Sequence, residues 1–269
     1  MPLPGAQQGD IWSGLTTRIV RTKRTNLPKR TRPVHGVVLH TTGGGIITKA
    51  LKLGEDPLEY AAAYYARAKS YASNYLIGPF SDPDFDGSDD VIIGTIHEGL
   101  VSYHSSLPTS SARYKTYRKG RKTWPRYRIG TINGKKTMVD QGKGILPDYK
   151  DWLRRWPDLE SPLDLNPVPS AGINRNFVGV DLLAPEPGMK HTELQLRWAA
   201  ALVSDIFERH GIPLERKRFL RHSDVDPFSR STKRGGWDPP GYAHERVCEL
   251  LDLDYWPHHR LLSPMRLTP

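Results

Sequence analysis

Three side chains stand where hydrophobic runs break off. His40 follows Val37-Val38-Leu39, Asp181 lies near the end of Phe177-Val178-Gly179-Val180-Asp181-Leu182-Leu183, and His222 follows Phe219-Leu220-Arg221. Runs of that composition read as buried strands, and the strand ends of open α/β sheets are where sites are built. Two neutral imidazoles and one carboxylate, with a fourth position left open, make a catalytic zinc site. There the ion lowers the pKa of a bound water from about 15.7 toward 7. The chain holds 10 histidines, however, and composition does not choose among them. The structural alternatives stay open: His40 as a core histidine bonded to a turn carbonyl, His222 as a loop cap, Asp181 as a helix or loop cap. His97, His191, His210, His244, His258 and His259 have no motif around them. Cys248 is the single cysteine, which excludes an internal disulfide or a multi-cysteine zinc knuckle; with Val247 and Leu251 it follows a helical core pattern.

The elements that must position these groups follow from patterning. The first strand ends abruptly at Thr41-Thr42-Gly43-Gly44-Gly45, which reads as a tight turn. Residues 56–70 form a helix with Leu58, Ala62, Tyr65 and Ala66 on one face, capped by Asp56 before Pro57. Asn74-Tyr75-Leu76-Ile77 and Val91-Ile92-Ile93-Gly94-Thr95-Ile96 read as two more strands. Thr192 and Gln195 open the clearest helix as a capping box, Leu194, Trp198, Leu202 and Ile206 repeat near helical spacing, and His210-Gly211 closes it. A last helix spans about 241–252. Strands interleaved with helices predict an α/β fold, a central mixed β-sheet flanked by helices on both faces. The expected organisation is a basic amino-terminal arm (1–33), a catalytic domain (34–252) with a long insertion at about 105–172, and a tail (253–269).

The chain has 269 residues, 39 Lys+Arg against 29 Asp+Glu, a net charge of +10 and 37% hydrophobic residues. Such an apolar content excludes a mostly disordered chain. No apolar run reaches the roughly 18 residues of a membrane-spanning helix, and the first residues show no basic segment followed by an apolar one, so no secretory signal is expected. The surplus of positive charge calls for a polyanionic partner. Much of it sits in the arm, Arg18 to Arg32, and in a stretch at 113–127 where Arg and Lys alternate with Tyr114, Tyr117, Trp124 and Tyr127. That stretch reads as a solvated face, a nucleic-acid patch that stacks bases, or a loop over an acidic polymer.

Five segments, in order, resemble the zinc N-acetylmuramoyl-L-alanine amidases of the amidase-2 family, which also includes the peptidoglycan recognition proteins. They are Val37-Val38-Leu39-His40-Thr41-Thr42; Ala72-Ser73-Asn74-Tyr75-Leu76-Ile77; Val101-Ser102-Tyr103-His104-Ser105-Ser106; Asn174-Arg175-Asn176-Phe177-Val178-Gly179-Val180-Asp181-Leu182; and Arg221-His222-Ser223-Asp224-Val225-Asp226-Pro227 with Trp237-Asp238-Pro239-Pro240. The resemblance implies His40, His222 and Asp238 as ligands of one zinc ion and Asp181 as the general base, where the family has glutamate. It implies a cation two residues before the last ligand. That position is Gly236, within a longer gap between His222 and Asp238, and Lys233 is the favoured replacement ahead of Arg230 and Arg234. His104, Asn74 and Asn174 are expected to bind substrate. The implied function is hydrolysis of the amide between N-acetylmuramic acid and L-alanine of the peptidoglycan stem, in an endolysin-like lytic role. The protein would be made in the cytoplasm and reach the wall through a holin, on a phage particle or by a secretion system. The arm and insertion would dock on anionic wall polymers. The alternatives are a non-catalytic peptidoglycan-binding protein on the same fold and, behind it, a nucleic-acid-binding protein.

Overall fold

The computed structural model describes residues 7, 9–68, 72–78, 91–104, 174–185, 190–222 and 238–253, together with the backbone of short strands between 116 and 145. Six strands form one sheet: β1 (Arg18–Ile19), β2 (Gly36–Thr41), β3 (Tyr75–Ile77), β4 (Ile92–Gly94), β10 (Phe177–Leu182) and β11 (Phe219–Arg221). Their order across the sheet is β1-β4-β3-β10-β2-β11. β3, β10, β2 and β11 run parallel, β4 runs antiparallel to β3, and β1 is parallel to β4. The sheet is therefore mixed, as the sequence predicted.

The central strands are buried at every residue, because helices cover both faces. Val37, Leu39, Val178 and Val180 turn to one side. There they pack with Leu196, Val203 and Ile206 of α3 (Glu193–Arg209) and with Val247 and Cys248 of α4 (Gly241–Leu250). Leu76 and Ile93 turn to the other, against Ile47 of α1 (Gly44–Leu53) and Ala61, Ala62 and Tyr65 of α2 (Pro57–Arg67). Alternation with period two sets this sorting.

Local chemistry fixes the helix ends. The Asp56 side chain accepts from the Glu59 backbone N–H at 2.8 Å, with Pro57 in the first turn. Thr192 accepts from the Gln195 N–H at 3.1 Å, but the reciprocal half of the expected capping box is absent. Gln195 instead turns inward and donates to the carbonyls of Ile77 and Leu183, each at 3.0 Å. The glycine run at 43–45, read as a turn, leads straight into α1, which ends on Gly54 in the left-handed region (φ 67°).

Parts of the segment expected as an arm pack on the sheet. Arg18 and Ile19 pair with Ile93 and Gly94 as the sheet's edge, and Trp12 packs edge-on against Tyr75 with ring centroids 6.0 Å apart. The half-buried Arg30 guanidinium donates to the carbonyls of Glu98 (2.8 Å), Arg175 (2.5 Å) and Leu100 (3.3 Å), and more distantly to those of Asn174 and Phe177. Burial lowers its pKa to about 10, against the opposing attraction of Glu98. Within the insertion, the backbone forms a hairpin of β5 (Thr116–Lys119) and β6 (Lys122–Pro125), and a three-stranded antiparallel sheet of β7 (Tyr127–Ile132), β8 (Lys135–Asp140) and β9 (Gly144–Ile145).

Candidate metal centre

Parallel pairing sets His40 on β2 directly beside Asp181 on β10. Asp181 in turn pairs with Leu76 on β3, whose side chain lies on the α1/α2 face. In-register neighbours point to the same side, so the imidazole and the carboxylate share that face. β11 lies on the other edge of β2 and delivers His222 immediately after its last residue. Asp238 arrives from the turn just before α4.

These residues converge. His222 Nδ1 lies 2.8 Å from Asp238 Oδ2, His40 Nδ1 lies 3.9 Å from Asp238 Oδ1, and the two imidazole centroids are 4.6 Å apart. One ligand atom from each of His40, His222 and Asp238 falls within 4.8 Å of the others, and all three residues are buried. The Thr41 backbone N–H donates to Asp238 Oδ1 at 2.8 Å, which fixes the carboxylate relative to β2. His222 Nε2 is buried with no hydrogen-bond partner among the described residues. A buried ring nitrogen in that condition is costly unless a ligand meets it. Two imidazoles and a carboxylate form a nitrogen/oxygen donor set of the kind zinc takes, so the cluster fits a divalent metal.

Asp181 is fully buried and accepts a hydrogen bond from the Ser73 hydroxyl. His104 lies under the cluster, 1% exposed. It packs against Gly179, where an added Cβ would come within 2.5 Å of the ring. Its Nδ1 is 2.9 Å from His40 Nε2 and its Nε2 is 3.2 Å from the Phe177 carbonyl oxygen. Burial drives the His104 pKa down to about 3; the Phe177 contact opposes the shift, and His222 and Arg30 add to it. The ring is neutral.

Asn74 and Asn174 are spent on the fold. Asn74 Oδ1 accepts from Ser102 Oγ (2.6 Å) and the Gly179 N–H (3.0 Å), its Nδ2 donates to the Ile96 carbonyl (2.9 Å), and Asn174 Oδ1 accepts from the His104 N–H (3.2 Å). The three residues expected to bind substrate are thus as buried as His40, His222 and Asp238, each at most 3% exposed. Lys233, Arg230 and Arg234 fall outside the described residues.

Asp238 also borders an open cavity of about 440 Å³ that Thr41, Thr42, Lys49, Tyr60 and Tyr64 help to line. Lys49 escaped the sequence reading because α1 itself did; Tyr60 and Tyr64 lie on the expected helix, but nothing in the sequence marks them as facing a cavity. His191 escaped for want of a motif: it bonds Gln195 Oε1 through Nδ1 (2.8 Å) and sets Nε2 3.4 Å from Thr41 Oγ1, and burial lowers its pKa. Ser73 lies just before β3, and only its hydrogen bond to Asp181 reveals its place beside the site.

No curated protein and no solved structure matches the chain. The Amidase_2 family model, described as N-acetylmuramoyl-L-alanine amidase, matches residues 30–239, a span that includes His40, Asp181, His222 and Asp238. With that match covering more than half of its length, the chain belongs to the Amidase_2 family of N-acetylmuramoyl-L-alanine amidases.

Proposed function

We propose that the protein is a zinc-dependent hydrolase that cleaves the amide between the lactyl group of N-acetylmuramic acid and L-alanine of the peptidoglycan stem. The buried convergence of His40, His222 and Asp238 supports this reading most directly. Those three residues would hold the ion. When bound, zinc supplies a Lewis acid that acidifies water and polarises a carbonyl. Asp181 accepts the proton of the water that attacks the carbonyl carbon and returns it to the L-alanine amine as the C–N bond breaks. Its carboxylate is one methylene shorter than the family's glutamate. The Cα pairing of Asp181 with His40 and the Ser73 hydroxyl on Oδ2 keep it beside the ligands. A cation steadies the developing oxyanion, and Lys233 is the residue proposed for it. The cavity beside Asp238 is the proposed entry for substrate, and the basic arm and insertion would hold the enzyme on anionic wall polymer in a lytic role.

Elemental analysis of the purified protein and mass spectrometry of digested muropeptides test this reading. The expected result is one zinc per chain and release of free L-alanine amino termini. His222→Ala should lose both. Wall binding without such release would identify a non-catalytic peptidoglycan receptor instead.

A further inference from the structure

We propose that His104 is a positioning residue: it fixes the ring tautomer of His40 and so determines which nitrogen His40 offers a metal. The proposal rests on the reading of His40 as a metal ligand and goes beyond it by assigning the hydrogens of two buried rings.

The argument starts at a carbonyl, which can only accept. His104 Nε2 lies 3.2 Å from the Phe177 oxygen, so Nε2 carries the hydrogen and donates. A neutral imidazole has one N–H, so His104 Nδ1 is left as an acceptor. That nitrogen is 2.9 Å from His40 Nε2, which must therefore be the donor. His40 then keeps its lone pair on Nδ1, the nitrogen on the side of Asp238. A neutral ring that is ligand through one nitrogen commonly donates through the other, and the acceptor sets its orientation. Here the acceptor is itself an imidazole, oriented by a main-chain carbonyl.

The surroundings hold His104 in this pose. Gly179 leaves room for the ring where any side chain would collide with it. Asn174 Oδ1 accepts from the His104 backbone N–H. Arg30 donates to the carbonyls of the flanking loops, including the same Phe177 oxygen at 3.4 Å. His104 thus has a defined job that brings it no contact with substrate.

Two variants and one spectrum test this. Asn at 104 can keep an acceptor oxygen near the place of Nδ1, whereas Leu cannot. His104→Leu should weaken zinc affinity, measured by competition with a chromophoric chelator, by about 10–100-fold. His104→Asn should recover most of that loss, and the cobalt-substituted protein should show the wild-type visible spectrum with Asn and an altered one with Leu. In ¹⁵N-histidine NMR spectra of the wild-type protein, His40 should carry its hydrogen on Nε2. Equal zinc affinity in folded His104→Leu, equal losses in both variants, or a hydrogen on His40 Nδ1 would each overturn the proposal. The wild-type spectrum decides even if the variants fail to fold. A wild-type protein that binds no zinc yet shows the Nε2 hydrogen would refute the metal site and leave the tautomer assignment standing.

Discussion

Asp181 and His40 are neighbours across one strand pair, yet they are set up for different work. One is a carboxylate with a hydroxyl donor, the other an imidazole with an imidazole behind it. Asp181→Asn keeps the shape and removes the proton acceptor, so kcat on soluble muropeptide should fall by about 10²–10⁴-fold with zinc content unchanged. Loss of zinc in that variant would make Asp181 a structural support of the ligands. The cation is open to an equally direct comparison. Lys233→Ala should lower kcat about 10²-fold or more if it faces the oxyanion. Lys49→Ala, on the cavity wall, should mainly raise KM; the reverse pattern would exchange their roles. At this scale the grouping of His40, His222 and Asp238 was legible because each member follows or precedes a recognisable run. What the sequence could not show was depth. His104, Asn74 and Asn174 sit in motif segments and looked like groove residues. Their burial is decided by a glycine on another strand and by hydrogen bonds to partners up to 144 residues away.

Helices and strands were legible in proportion to their patterning. β2 and β10 announce themselves through continuous apolar runs, and α3 through its cap and period. α1 begins in glycines, which lower helix propensity by about 1 kcal/mol each relative to alanine and so mask the apolar residues behind them. β1 is two residues long, and only its partner β4 makes it a strand. The carboxyl end of α3 is held by another device with no sequence signature. Glu98, buried to 1% exposure, receives Tyr75's hydroxyl, two contacts from Arg209 (2.8 and 3.1 Å) and His210 Nε2 (2.5 Å). Burial pushes the Glu98 pKa up, but His210, Arg209 and Tyr75 outweigh it and hold the pKa below the ordinary glutamate value. A carboxyl with a depressed folded-state pKa contributes stability above its unfolded value of about 4.3, and that contribution is lost as pH falls through the lower folded value. Urea melts between neutral pH and pH 3 should therefore show a steeper acid loss in wild type than in Glu98→Gln. Parallel curves would place the acid sensitivity elsewhere. Arg209→Ala should cost about 3 kcal/mol at neutral pH, the low end for a broken buried pair, since its side chain is 25% exposed.

The whole molecule joins a buried sheet that carries the candidate site to segments rich in Lys and Arg. A metal that binds only the folded state stabilises it by mass action, about 2.7 kcal/mol at a hundred times the dissociation constant. Zinc should raise the melting temperature of the wild type and leave that of His222→Ala unmoved; equal shifts in both would mean that the ion binds elsewhere. The charge belongs to a separate test. Neutralising the Lys and Arg of 113–127 should reduce pelleting with isolated cell walls, most of all at low salt, while hydrolysis of soluble muropeptides continues. Unchanged pelleting would reduce that stretch to a solvated face. The sheet's own connectivity carries a further consequence, for the order in which the chain can fold. β2 lies between β10 and β11, and its first partner begins about 140 residues after β2 does. Closing a loop of that length costs entropy before any pairing returns it, and such long-range contacts slow folding. During synthesis, Val37-Val38-Leu39 must wait for more than half of the chain to be made. A chain stopped short of Phe177 leaves the centre of the sheet without either neighbour, an apolar ribbon for chaperones to shield or for aggregation to claim.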